Sequence, residues 1–119
     1  MLRLAGTDWW PDVSGRLLVV ECPEAPYDLE WADADFTQLR NLGVFDEIAG
    51  LVIGRTDNWS SAEVDTLHRL ALDAVADYSF PILAGVEVSH SAPLLTVPIG
   101  VQGTIDGLEL SIDEPAVND

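Results

Sequence analysis

The chain has 119 residues, 48% of them hydrophobic, which suits one domain with a real core and is short for a two-domain enzyme. Its 21 acidic residues face five arginines and no lysine, a net charge of −16, so nucleic-acid backbones and anionic membranes would repel it. No apolar run approaches the roughly twenty residues that span a bilayer, and "MLRLAGTDWW" lacks the apolar stretch of a secretory signal, so the cytoplasm is the expected location.

The single cysteine, Cys22, excludes an internal disulfide, and two histidines beside it make a zinc site improbable. No loop carries alternating acids at EF-hand spacing. Neither a metal nor a cofactor is expected. The acid excess reads as a solvated surface.

In chain order, residues 1–15 read as a connector, where "GTDWWPD" combines Trp9, Trp10, a proline and turn formers. The tryptophans suit an anchor against the domain better than a ligand-stacking platform. "RLLVVEC" (16–22) is a β-branched run read as a buried strand. "PEAPYD" is a loop, because Pro23 and Pro26 break either regular element. From 29 to 42 the spacing turns helical: Leu29, Ala32, Phe36, Leu39 and Leu42 share one face, and Glu30, Asp33, Thr37 and Arg40 the other. Asp28 is its expected N-cap and Gly43 its stop.

"IAGLVIG" (48–54) is a second buried strand that ends in glycine, and "RTDNW" is a loop. Ser60 stands three residues before Glu63, a capping box opening a helix over 61–77 with Val64, Leu67, Leu70, Ala71, Ala74 and Val75 inward. "PILAGVEV" (81–88) is a third strand. "LLTVPIG", "VQGTIDG" and "LELSIDE" read as a β-meander joined by glycine turns, with a tight hairpin at Asp106-Gly107.

The order β-α-β-α-β predicts an α/β fold, a mostly parallel sheet with flanking helices, its apolar strands covered on both faces. In such sheets the loops at the carboxyl ends of the strands carry the site. That rule selects Glu21, Gly54-Arg55 and His90, all opening on one sheet edge. Glu21 is either a solvated strand-end acid or a carboxylate with a partner, since burying it alone is costly. His90 is either a hydrogen-bonded strand-end residue or a base whose second nitrogen a carboxylate orients. Together they make two thirds of a nucleophile–base–orienter triad.

The nucleophile is harder to place. Ser89 and Ser91 flank His90, and neighbours on an extended chain point to opposite faces. No GxSxG elbow occurs, and Ser14, Ser60, Ser61, Ser79 and Ser111 fall in turns, caps or strands. Cys22 adjoins Glu21 and should point away from it as a buried structural thiol. His68 is mid-helix, with no expected catalytic part. Arg55 can receive a substrate carboxylate bidentately or pair with a nearby acid.

Three stretches, "AGTDWWPDVSGRLLVVE", "LRNLGVFDEIAGLVIGR" and "FPILAGVEVSHSAPLLTVPIGVQGTID", taken in that order, resemble the C-terminal half of the LD-carboxypeptidase family of serine peptidases. That family includes muropeptide LD-carboxypeptidases and microcin C self-immunity proteins, and the resemblance covers nearly the whole chain. It implies a small swivelling β/β/α domain over 16–119, after the 1–15 connector. It also implies a Ser–His–Glu triad divided between two domains, with Glu21 and His90 in the glutamate and histidine positions and the serine in an N-terminal domain outside these residues. The implied partners are that serine-bearing domain, in cis or in trans, a murein-derived or microcin-type peptide substrate, and a second copy in a homodimer. By itself the chain is expected not to hydrolyse such a peptide. Two other classes remain: an interaction module or fragment that keeps the fold, and, more weakly, a carboxylate-rich cation-binding domain.

Overall fold

The computed structural model describes residues 1–90 and 92–117. Three parallel strands, β1 (Leu17–Val20), β2 (Gly50–Gly54) and β3 (Ile82–Val86), form one sheet in the spatial order β1-β2-β3. Leu18 stands beside Leu51, and Leu51 beside Ile82. Helix α1 (Leu29–Asn41) and the single turn α2 (Val44–Glu47) connect β1 to β2, and α3 (Ser61–Ala74) connects β2 to β3. The helix ends follow the local chemistry. Asp28 accepts the N–H groups of Glu30 and Trp31, and Ser60 and Glu63 close a reciprocal capping box. Gly43, in the left-handed region at φ 73°, ends α1 where a Cβ would be strained.

Strands that follow one another in space as in sequence, joined by crossovers of one hand, place both helices on the same side. The core has that shape. Leu18, Leu51 and Ile53 pack with Ala32, Phe36 and Leu39 of α1 and with Leu67 and Ala71 of α3. The opposite face carries Val52 and Leu83, both buried but outside that cluster. No helix covers it. By strand alternation Gly50 and Gly54 share the face of Val52. Ile105 lies over Gly50, and the Val88 carbonyl lies over Gly54. The helices therefore flank one face, and chain from beyond β3 closes the other.

The expected three-strand meander reduces to one antiparallel hairpin, β4 (Gly103–Asp106) with β5 (Glu109–Ile112). Residues 94–100 form no strand. Pro93 and Pro98 remove two ladder donors there, and Leu94, Leu95 and Ile99 are exposed, so the run has neither partner strand nor core to face. The hairpin loop is Gly107-Leu108, one residue later than expected, with Asp106 still paired to Glu109. Gly107 takes φ 59°, as the first position of a two-residue hairpin loop favours. Helix α3 stops at Ala74, and a short 3-10 turn at Leu2–Leu4 opens the chain. Val13 is buried, Leu2 and Trp10 pack on the core, and Trp9 is 80% exposed. Among the described residues no helix is long and apolar enough to cross a membrane.

These two environments predict contrasting variants. Leu51 is fully buried, so Leu51→Ala should destabilise the chain by roughly 2–5 kcal/mol. Leu94 is 59% exposed on the irregular strap, so Leu94→Ala should stay within about 0.5 kcal/mol. Urea midpoints measure both, and a large loss at Leu94 would restore a packed strand there.

Candidate active site

Glu21 follows β1 and His90 follows β3, with β2 between them. Strands lie about 4.8 Å apart, so the two residues start on chains separated by roughly twice that. The chain leaving β3 must therefore cross the carboxyl end of β2. Two glycines permit it. Gly85, at φ 75°, is an extra residue in the ladder: Ile53 pairs with Ala84, and Gly54 already pairs with Val86. At Gly54 the Val88 carbonyl comes so close that any Cβ would collide with it, and the Val20 carbonyl would stand 3.4 Å from the same Cβ. The crossing segment thus lies directly on glycine backbone.

Hydrogen bonds then fix that segment. The Arg55 N–H donates to the Val86 carbonyl at 2.7 Å, and the Val88 N–H turns back to the same carbonyl at 2.6 Å. The Leu95 N–H donates to the Glu87 carbonyl at 2.9 Å. The Arg55 side chain donates from Nε to Glu87 Oε2 at 2.9 Å and from Nη2 to Ser89 Oγ at 3.3 Å and the Ala92 carbonyl at 3.4 Å. The loop after β2 is tied to the loop after β1 by Asn58 Nδ2, which donates to Glu24 Oε2 at 2.7 Å. All three strand-end loops are linked at one edge of the sheet.

The outcome is a Glu–His contact. His90 Nδ1 lies 2.6 Å from Glu21 Oε1, across 69 residues of sequence. The Glu21 side chain is 27% exposed and that of His90 60%. Among the described residues Nε2 of His90 has no hydrogen-bond partner. A carboxylate on Nδ1 favours the tautomer with its proton there, leaving an unprotonated Nε2 that can accept one. Beside Glu21 an open cleft of about 1190 Å³ runs along the β1 edge, lined in part by Leu2, Cys22, Tyr27 and Trp31.

The remaining candidates sort by contact. Ser89 is buried and its hydroxyl accepts from Arg55, while Ser91 lies outside the described residues. Cys22 is buried, as its sequence position suggests. Arg55, the weak candidate for holding a substrate carboxylate, has its Nε and Nη2 engaged within the chain. His68 stays half-buried on α3. Among the described residues no cluster of His, Cys, Asp and Glu could hold a metal ion. Sequence reasoning missed Glu87, Ser89 and Asn58 as loop ties. For Glu87 the signal was visible: an acid inside an apolar strand run needs a partner.

Burial pushes the Cys22 thiol up to about 11, opposed by a hydrogen bond with Tyr27 and assisted by the charges of Asp35 and Glu21. Tyr27 is raised too, first by burial, then by its neighbours Cys22 and Asp35. Both groups are neutral when protonated, so their favourable contribution is complete below their unfolded values and is lost as pH rises through the folded ones. The melting temperature should fall between pH 9 and 11, and Cys22→Ala should flatten that fall. Gly54→Ala should cost roughly 1–3 kcal/mol, because the Val88 backbone must move to admit the methyl group. Thermal melts measure both.

A family model described as the LD-carboxypeptidase C-terminal domain matches residues 1–105. The microcin C7 self-immunity protein MccF of Escherichia coli is 28% identical over 103 residues, 85% of this chain and 29% of that protein. A Bacillus subtilis protein named "Probable murein peptide carboxypeptidase" is 27% identical over 108 residues, 87% of this chain and 33% of its own length. The solved structure of MccF in complex with aspartyl sulfamoyl adenosine superposes with a TM-score of 0.83 at 24% identity, covering 97% of this chain and 35% of that one, a likeness of fold. The chain spans about a third of the length of the curated relatives it matches. With the match running from residue 1 into the hairpin strand β4, this chain belongs to the LD-carboxypeptidase C-terminal domain family.

Proposed function

We propose that this chain supplies the base and the orienter of a Ser–His–Glu triad whose serine lies on a separate N-terminal domain, in cis within a longer protein or in trans. The observation that carries the reading is the 2.6 Å contact between His90 Nδ1 and Glu21 Oε1, in an imidazole that is itself exposed. The substrate would be a murein-derived peptide ending in a D-amino acid, or a processed microcin, in line with the names of the relatives. A cytoplasmic setting belongs to the same reading.

The chemistry follows from the free nitrogen. His90 Nε2 takes the proton of the serine hydroxyl as its oxygen attacks the scissile carbonyl. The C–N bond then breaks, Nε2 returns that proton to the leaving amine, and an acyl-enzyme remains. Water attacks the ester with Nε2 again as base, releasing the acid and the serine. Glu21 keeps the proton on Nδ1 and stabilises the imidazolium of each step. Without the serine there is no attacking group, so the chain alone should be inactive.

The test is hydrolysis of an L,D-linked tetrapeptide by the purified chain, with and without a separately expressed serine-bearing domain. The reading predicts activity in the mixture only, abolished by His90→Ala and lowered about 10³–10⁴-fold by Glu21→Gln. A mixture that stays silent, while the serine domain is active with another family C-terminal domain, contradicts it. Activity of the chain alone contradicts it differently, by placing the nucleophile inside these 119 residues.

A further inference from the structure

We infer that Arg55 is a positioning residue, which sets the direction of the His90 imidazole by clamping the segment on both sides of it. This rests on the triad reading above and adds a residue to it. Arg55 stands at the end of β2, the middle strand, directly under the path the chain takes from β3 to Glu21. Its guanidinium reaches Glu87 and Ser89 before the histidine and the Ala92 carbonyl after it. Its own backbone N–H holds Val86, where the crossing begins. Ser89, the residue next to His90, is buried with its hydroxyl against Nη2.

Energy alone does not explain this arrangement. The Arg55–Glu87 pair is 31% and 42% exposed, and such a pair contributes little net stability. Its value is directional. A guanidinium presents its donors as a rigid planar fork, so three acceptors at residues 87, 89 and 92 are held in one fixed relation. Nδ1 of His90 meets Glu21 only if the backbone between those points keeps its course. A lysine ammonium, a point charge on a flexible stem, cannot bridge the same three acceptors.

The experiment reads the imidazole directly. Nitrogen-15 spectra of His90 in the isolated chain, recorded on the neutral imidazole, give the ratio of the Nδ1–H to the Nε2–H tautomer. In the wild type Nδ1–H should dominate. In Arg55→Ala and Arg55→Lys the ratio should fall several-fold while thermal melting still shows a folded chain. Should Arg55→Ala not fold, the pair Glu87→Ala with Ser89→Ala removes two of the three acceptors and should lower the ratio in the same direction. In the complemented enzyme Arg55→Ala should lower kcat by about 10²-fold with KM little changed, as a misplaced base does. A folded Arg55→Ala chain with an unchanged tautomer ratio overturns the proposal, as does a variant that raises KM alone, which would make Arg55 a substrate-carboxylate receptor. A wild-type ratio already favouring Nε2–H overturns the triad reading itself, so the two failures are told apart.

Discussion

The absence of a side chain at Gly54 is the constraint on which the candidate site depends. Parallel strands in the order β1-β2-β3 leave their carboxyl ends in a row, and the two polar groups of interest sit on the outer members. A loop leaving β3 can reach Glu21 only by passing across the end of β2. It passes in backbone contact, with the Val88 carbonyl where a Cβ would be. Any other residue at 54 lifts the crossing segment, and a lift of a fraction of an ångström is comparable to the tolerance of a hydrogen bond. Gly85 serves the same end differently, by letting β3 take up an extra residue and turn before the crossing begins.

The pair is thus assembled by topology and backbone packing more than by its own attraction. A Glu–His contact with the imidazole 60% exposed competes with water, and contacts of that kind add little net stability. What holds it is the set of ties beneath: Arg55 to residues 87, 89 and 92, Asn58 to Glu24, and the apolar layer of Leu18, Leu51 and Ile53 that fixes where the strands end. Preorganisation of this kind is what a base needs, because a proton acceptor is useful only when it is already aimed. The imidazole is exposed, as the proposed partnership with a serine from another domain requires, and the open cleft beside Glu21 leaves room at that edge.

Much of this was legible from the residues. The βαβαβ order, both long helices with their caps, and the three strand-end positions follow from periodicity and local chemistry, which report short-range physics faithfully. The run 94–100 misled for an identifiable reason: its apolar residues look like a strand, but Pro93 and Pro98 forbid a ladder, and Leu94, Leu95 and Ile99 face outward. One-sided helix coverage was also hidden, since a sheet buried by helices and one buried by irregular chain place the same apolar runs in the strands. The loop ties at Glu87, Ser89 and Asn58 depend on contacts across more than thirty residues, and no single-chain pattern encodes those partners. The Glu21–His90 contact spans 69 residues, and it was approachable only through the rule that sites gather at strand carboxyl ends.

The central claim is that this chain, unaided by any partner, already holds His90 against Glu21. Nuclear Overhauser spectra of the isolated chain at neutral pH address it most directly, through the imidazole Cε1 proton beside Nδ1 and the Glu21 methylene protons. The account predicts a clear cross-peak between them in the wild type, lost in Gly54→Ala. A His90 ring with no contact to Glu21 and the averaged shifts of a free side chain would contradict it.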